Sequence, residues 1–532
     1  MELLSYSPAV PSPVQYRYHM QERIMFVHFA PNTWQGREYD DLSTPLSSIN
    51  PEKTDTDQWC RAALLWGAKE ILFVAKHAGG FCWWQTESSD YSVKNTPFRG
   101  GKGDLIAELA ASCKKYGLNM GIYVYPGDAY FGAYLGGGGV TRDPALQEKY
   151  AKAYRTQLTE VLSRYGDMLE VWFDGSARLP IADIIEKYAK NCVILQSPHA
   201  NIRWCGTENG ATPYPSYNTI SRAKLATGLS TARHSDPRGD VWADIECDVP
   251  LYTHNWFWSP ENESKRKSVG QLVECYYKSV GRGAVMLLNS TPNTDGLIPD
   301  GDMNRYSEFG AELERRFAHP IIGKLELSDD SAAVYFGKEL AVNHIRVAED
   351  IRLGERVRGY NVLLRIGGEW RVVCSGSMIG ACRIEVFETA EADAVKIEVT
   401  AAAATPCLRE FSAYNVEDVD IGSLISSLSA PVDAYDQLRQ SCGTYQAGHN
   451  TADLTAFVRF PGEYRIDFNF KGGSGNVSNV AGVLEGIRSE GIVEKLSDTA
   501  YILNRTAAVE DGCTTAVECD ISDECEISVT PV

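Results

Sequence analysis

Apolar residues in this chain fall into short unbroken runs, separated by amphipathic stretches and ending in polar residues. The clearest run is Leu169-Glu170-Val171-Trp172-Phe173-Asp174-Gly175. It lacks the period-two alternation of a half-exposed strand, so it reads as a parallel strand buried on both faces. A carboxylate inside such a strand would carry a large desolvation cost. Asp174 is therefore expected at the strand's carboxyl end, where the chain turns outward. In α/β barrels the chemistry sits at that end. An Asp that only caps the next helix would leave the same pattern.

Around this run a unit recurs. Arg23–Phe29 is a first buried strand, interrupted by His28. Asp57–Trp66 has helical spacing, Gly67 stops it, and Glu70–Ala75 is a strand. Asp104–Lys115 is a second helix with Asp104 at its N-cap; Gly117 stops it, and Asn119–Tyr125 follows as a strand. Leu146, Tyr150, Tyr154, Leu158 and Leu162 line one face of a third helix, which Gly166 stops before the Leu169 run. Cap, helix, Gly, strand is the grammar of parallel α/β structure. Val193–Gln196 continues it, and Gly283–Leu288 reads as a closing strand after a helix near Val269–Val280. Residues 1–320 are thus expected to form a (β/α) TIM-like barrel.

Past Pro320 helical periodicity fades. Ala332–Phe336, Ile345–Val347, Val362–Ile366, Trp370–Cys374 and Ala394–Val399 are short β-favouring runs between turn residues. Residues 321–422 are expected to form a β-sandwich. After the Ser/Leu-rich Ser423–Pro431, residues 432–532 read as a further C-terminal β-rich domain, with Leu454–Phe460, Tyr464–Phe470 and Asn476–Val483 among its strands. Gly472-Gly473-Ser474-Gly475 resembles a phosphate loop only loosely. No helix clearly follows it, so a hairpin turn is expected there.

At 532 residues the chain exceeds one hydrophobic core. Its net charge of −19 argues against nucleic acid or an anionic membrane as partner. No apolar run is long enough to span a bilayer. Met1–Pro13 has no basic n-region and no apolar h-region, so a cytoplasmic protein is expected, although a secreted chain trimmed of its signal would look the same. The fourteen cysteines form no Cys-x-x-Cys pair, and the closest grouping is Cys513, Cys519 and Cys525. Buried free thiols are expected. The nine histidines form no ligand pair, so neither a metal nor another cofactor is expected.

Several polar and aromatic residues fall where the barrel reading puts strand ends. His28 is followed by Trp34, Glu38 and Tyr39; His77 by Trp83 and Trp84. Tyr123 and Tyr125 end the third strand, Trp172 and Asp174 the fourth, and Glu208 lies in the Gly-flanked segment Asn201–Gly210. Each has a plain structural reading: Trp as core, His as a satisfied buried group, Glu as solvated loop. Together they suit a sugar, with aromatic faces for C–H surfaces and His or Glu for hydroxyls. A carboxylate pair is what glycoside hydrolysis needs.

These segments resemble, in order, the catalytic domain of the α-L-fucosidases of glycoside hydrolase family 29. The matching pieces are Val27–Thr33, Ala75-Lys76-His77 with Gly80-Phe81-Cys82, Asp90–Lys94, Val171–Gly175, Ile202–Glu208, Glu246-Cys247-Asp248-Val249, Ser279–Gly283 and Leu287-Leu288-Asn289. The resemblance implies a retaining exo-α-L-fucosidase acting on a fucosylated oligosaccharide or glycoconjugate. Asp174 would be the nucleophile and Glu208 the acid/base. Trp204-Cys205-Gly206-Thr207-Glu208 is similar to the subgroup favouring α1,3/α1,4-linked fucose. His28, Glu38, His77 and Trp172 match positions that grip the sugar, and Trp34, Tyr39, Trp84, Tyr123, Glu246, His254 and Trp256 complete the candidate contacts. The chain also departs from the family. Lys-His-His-Asp-Gly-Phe is replaced by Lys76-His77-Ala78-Gly79-Gly80-Phe81, a usual Trp by Tyr39, and a usual Arg is missing from Tyr252-Thr253-His254-Asn255. Looser reading of one sugar hydroxyl is expected, with compensation by a neighbour such as His254. A relative with shifted glycone, such as an α-L-galactosidase, and a catalytically silent glycan-binding protein remain the alternatives. The loop Ala129–Val140, with Tyr130, Phe131, Tyr134 and four consecutive glycines, is expected to be mobile and to wall the aglycone side.

Overall fold

Eight parallel strands form the barrel in a computed structural model that describes the chain except residues 254, 329, 433–439, 456–461, 485–486, 490–491, 506–513 and 532. In chain order they are Arg23–Val27, Glu70–Lys76, Asn119–Val124, Glu170–Trp172, Val193–Leu195, Ile202–Trp204, Asp244–Pro250 and Val285–Ser290. The eighth strand pairs with the first, and each neighbour pairs in turn, except the fifth with the sixth. Asn201 staples that open seam. Its backbone N–H donates to Ile194 O (3.0 Å), its Oδ1 accepts from the Ile194 N–H (2.6 Å), and its Nδ2 donates to Cys192 O (3.2 Å).

The helices begin and end for local reasons the sequence carries. Asp104 caps Leu105–Tyr116 by accepting from the Ala107 N–H, and Gly117 at φ 70° ends it in the left-handed region. Asp55 caps Thr56–Leu65 by accepting from the Gln58 N–H. The sixth and seventh strands are additions to the sequence reading, and both carry buried charged residues, Arg203 in the sixth and three carboxyls in the seventh. Asp244, Glu246 and Asp248 alternate along the seventh strand, yet all its residues are buried. Burial is tolerated because an indole N–H reaches each carboxyl: Trp242 to Asp244 (2.7 Å), Trp172 to Glu246 (2.7 Å) and Trp204 to Asp248 (2.6 Å).

Antiparallel β-structure follows the barrel, as expected. One seven-stranded sheet carries it; the expected runs Ala332–Phe336 and Ile345–Val347 merge into one long strand, Ser331–Glu349, and Ala394–Val399 lies within another, Arg383–Ala402. These pair along their length across irregularities at Tyr335/Leu340 and Val342/His344. Glu2–Leu3 adds to the same sheet. The Ser/Leu-rich stretch is a helix, Ile421–Ser429, with Leu424, Ile425 and Leu428 packed on the barrel core.

The chain divides into two compact units, Met1–Ala434 and Tyr435–Val532. The second unit has a five-stranded and a four-stranded antiparallel sheet around Leu454, Ile466, Phe468, Leu503, Val517 and Ile527. Most of the expected strand Leu454–Phe460 lies outside the described residues. The turn at Gly472–Gly475 is not a hairpin: it joins Gly462–Phe470 and Val477–Leu484, which lie in different sheets. Cys519 and Cys525 are buried thiols, and Cys513 lies outside the described residues.

Candidate active site

The carboxyl ends of the barrel strands bring together residues far apart in sequence. His28 follows the first strand, His77 the second, Tyr123 lies in the third, Trp172 ends the fourth and Asp174 stands two residues on. Glu208 lies beyond the sixth, Trp256 beyond the seventh, and Asn289 in the eighth. Their rings form one continuous cluster. His77 stacks on Tyr123 (5.9 Å) and Tyr123 on Trp172 (5.3 Å), while His28 lies 5.1 Å from Trp256 and 5.8 Å from His77.

Asp174 accepts from the Tyr123 hydroxyl at 3.1 Å. Burial pushes its carboxyl up to about 6, against the pull of that hydrogen bond. Glu208 accepts from the Trp256 indole at 3.2 Å. It is pushed up to about 7, chiefly by burial, opposed by the indole bond and reinforced by the charges of Asp174 and Glu38. Both carboxyls are therefore held above the ordinary carboxylate range, and the charge of Asp174 helps hold Glu208 there.

Glu38 is half-buried and grips the opposite loop: both its oxygens accept from the Trp256 backbone N–H (3.3 and 3.1 Å), and Oε1 accepts from Asn255 Nδ2 (3.2 Å). Burial raises its pKa, and those bonds and the Lys265 charge pull it back. Lys265 thus supplies a cation near the segment whose Arg is missing, donating to Asn255 Oδ1 at 3.2 Å. Tyr39 is exposed at the mouth (59%); partial burial and then the charges of Asp174, Glu208 and Glu38 push its phenol up.

Both histidines are neutral. Burial and the adjacent His77 hold His28 well below its ordinary value, and burial takes His77 to about 3. Asn289 fixes the His28 tautomer. The Asn289 Nδ2 donates to Trp256 O (2.9 Å), so its Oδ1 accepts from His28 Nδ1 at 2.8 Å, and His28 Nε2 is left as an acceptor. His77 Nδ1 is buried without a hydrogen-bond partner. Such an atom suits a bound hydroxyl.

Three candidates sit elsewhere. Trp84 is fully buried and donates to Glu160 (2.8 Å) on the helix Gln147–Arg164, outside the cluster. Trp34 packs on Phe29 (5.4 Å) and Trp83 (6.5 Å). Glu246 is fully buried and engaged by Trp172 and by the Tyr18 hydroxyl (2.5 Å), so it holds the Trp172 ring from beneath instead of facing the cleft. His254 lies outside the described residues. Asn289 and Asn255 were missed, although Asn289 closes the recognised Leu-Leu-Asn run. Among the described residues no group of three or more His, Cys, Asp or Glu could hold a metal ion.

The loop at residues 129–140 reaches the nucleophile candidate. Gly136 lies 3.3 Å from where a side chain on Gly175 would begin, and the Arg178 N–H donates to Gly138 O (2.9 Å). At its other end, the Ala129 N–H donates to Ala78 O (2.8 Å) and the Tyr130 N–H to Gly79 O (3.2 Å). Within the loop, Tyr134 and Val140 pair (2.9 Å) and Gln147 Nε2 holds Gly139 O (3.0 Å). Hydrogen bonds thus anchor the four-glycine run at both ends.

A family model described as alpha-L-fucosidase matches residues 10–316. Alpha-L-fucosidase 1 of Arabidopsis thaliana is 29% identical over 454 residues, 76% of this chain and 87% of that protein. A protein of known crystal structure from Bacteroides thetaiotaomicron VPI-5482 is 33% identical, with a TM-score of 0.72 over 77% of this chain and 100% of that one. A glycoside hydrolase 29 family member from an unknown rumen bacterium shares the fold over 98% of this chain and 96% of its own, at TM-score 0.69 and 23% identity. That likeness of fold extends past the barrel through the C-terminal residues.

Proposed function

The chain belongs to the alpha-L-fucosidase family and is a glycoside hydrolase, and from that premise we propose that it is a retaining exo-enzyme releasing terminal α1,3/α1,4-linked L-fucose from fucosylated oligosaccharides or glycoconjugates. In the first step Asp174 attacks the anomeric carbon as Glu208 gives its proton to the glycosidic oxygen. The C–O bond to the leaving sugar breaks, and a fucosyl ester forms on Asp174. In the second step Glu208, now a carboxylate, takes a proton from water; the water oxygen attacks the same carbon, and Asp174 leaves as carboxylate. His28, His77, Glu38 and Trp172 read the fucose hydroxyls and ring.

What carries this reading is the pairing of Asp174 at about 6 with Glu208 at about 7 in one aromatic cleft. Burial raises both carboxyls, as a site needs when one group must hold a proton that its partner has given up. The test is proton NMR of hydrolysis in progress. α-L-Fucose appears before its β anomer, and a sugar-bound structure places the carboxyls about 5–5.5 Å apart. First release of the β anomer, or a gap beyond about 9 Å, overturns the assignment. Faster turnover of aryl α-L-galactoside than of α-L-fucoside would move the glycone to L-galactose.

The aglycone leaves past Tyr130, which is 46% exposed on one face and stacked on Tyr91 (5.4 Å) on the other. Tyr130→Ala should raise KM for a Lewis-type trisaccharide by about tenfold at most, and more than it raises KM for an aryl α-L-fucoside. Equal effects on the two substrates would remove Tyr130 from the aglycone side.

A further inference from the structure

We infer that Asp40 is a positioning residue for this glycosidase, admitted beside the cleft by the missing side chain at Gly79. A Cβ on Gly79 would stand 2.1 Å from Asp40 Oδ2 and 2.6 Å from Asp40 Cβ. No side chain at position 79 is compatible with Asp40 where it lies. The family-like motif carries Asp at position 79; in this chain a carboxylate reaches the same space from another loop.

Asp40 is 8% exposed and fully engaged. Its Oδ2 accepts from the Tyr91 hydroxyl (2.7 Å), and its Oδ1 accepts from Gln35 Nε2 (2.8 Å) and from the Leu42 N–H (2.8 Å). The last two bonds close its own loop, and the first fastens that loop to the segment after the second barrel strand. Glu38 and Tyr39 ride on the fastened loop. Through Glu38 the loop reaches the Trp256 N–H, and Trp256 in turn holds Glu208. On its other side Tyr91 backs Tyr130, whose N–H donates to Gly79 O (3.2 Å). Asp40 therefore joins the loop that carries Glu38 to the loop that carries Tyr130, across the backbone of residues 78–79. Asp40 touches neither Asp174 nor Glu208, so its effect is exerted through Glu38 and Tyr39.

The inference rests on the fucosidase reading for its kinetic arm only. Three variants test it: Asp40→Asn, which keeps the shape; Gly79→Ala, which evicts Asp40 without altering it; and the exchange Gly79→Asp with Asp40→Gly. In each single variant, amide hydrogen exchange should speed up at residues 37–42 and at Trp256. KM for aryl α-L-fucoside should rise about tenfold, with a smaller fall in kcat. The alkaline limb of kcat/KM should move to lower pH, because the Glu38 charge that helps hold Glu208 up has moved away. The exchange variant should recover to within about threefold of wild type, since interacting neighbours are not additive. Wild-type exchange rates and KM in Gly79→Ala would overturn the inference. So would an exchange variant no better than its parts while still showing a wild-type Tm. A wild type that hydrolyses no fucoside would sink the functional reading instead, and the hydrogen-exchange arm would still judge Asp40.

Discussion

Asp174→Ala removes turnover by about 10⁴-fold or more while the protein stays folded and keeps weak affinity for fucose. A factor of that size is about 5.5 kcal/mol of transition-state stabilisation, and it reflects loss of a covalent route that water cannot replace on the same face. The carboxylate lies at the floor of an aromatic cleft with one donor, Tyr123. Azide should re-enter the vacated space and release a fucosyl azide of inverted configuration. A variant with near-wild-type turnover would return Asp174 to the helix-capping role that its sequence pattern also allows. Stability gives a second reading of the same group. Burial raises its pKa to about 6 from the usual carboxylate range. The folded state therefore holds the proton more tightly than the unfolded state, and above that pH the ionised group destabilises the fold. Asp174→Asn should raise the Tm at pH 7 to 8. The gain should shrink as pH falls below about 6 and vanish near pH 3, where both states are protonated. A Tm unchanged at pH 8 would mean the carboxylate is better solvated than its surroundings indicate.

The parts of the barrel legible in the sequence were those where burial alone selects residues. Glu70–Lys76, Asn119–Val124 and Val285–Ser290 are apolar because helices cover them, and a run of Val, Ile and Leu announces that directly. The seventh strand is equally buried but is written Asp244-Ile245-Glu246-Cys247-Asp248. Its carboxyls are tolerated by three indole donors, and two of them, on Trp172 and Trp204, come from other strands. Such a strand has no local signature. The site divides the same way. Asp174 stood out because a charge that ends an apolar run has few places to go. Trp84 misled because a Trp just past a strand end looks the same whether it faces the cleft or a helix; Glu160 on the neighbouring helix decides the matter. Asp40 was invisible, since its place depends on Gly79 having no side chain. The departure at residues 78–79 marked where the structure differs, since Gly79 leaves room that a side chain would fill. The neighbour filling the space at Gly79 proves to be Asp40, from a loop whose sequence gave no hint of the contact.

Glu208→Gln should abolish the alkaline limb of the pH profile and separate the two chemical steps. On the proposed mechanism the active form of the wild type has Asp174 ionised and Glu208 protonated. Activity should then rise as pH passes about 6, with ionisation of Asp174, and fall as pH passes about 7, with ionisation of Glu208. Limbs this close give a narrow bell, and the apparent values belong to the pair. Gln keeps the shape of the side chain and can accept from Trp256, but it can neither donate nor take up the proton. Natural oligosaccharides, whose leaving group needs protonation, should lose about 10²–10⁴-fold in kcat/KM. An activated aryl fucoside needs no protonation to leave, so its first step survives. Its second step, which needs a base for water, slows, and a burst of aryl alcohol should precede slow turnover. Azide needs no base and should restore turnover, giving a fucosyl azide of retained configuration, the opposite of the Asp174→Ala product. Trp256→Phe offers a milder version of the same test. It removes the indole bond that pulls the Glu208 pKa down. The alkaline limb should then move to higher pH while the acid limb, set by Asp174, stays in place. An alkaline limb that persists in Glu208→Gln would assign it to another group, and the acid/base would then be sought elsewhere in the cleft, first at Glu38.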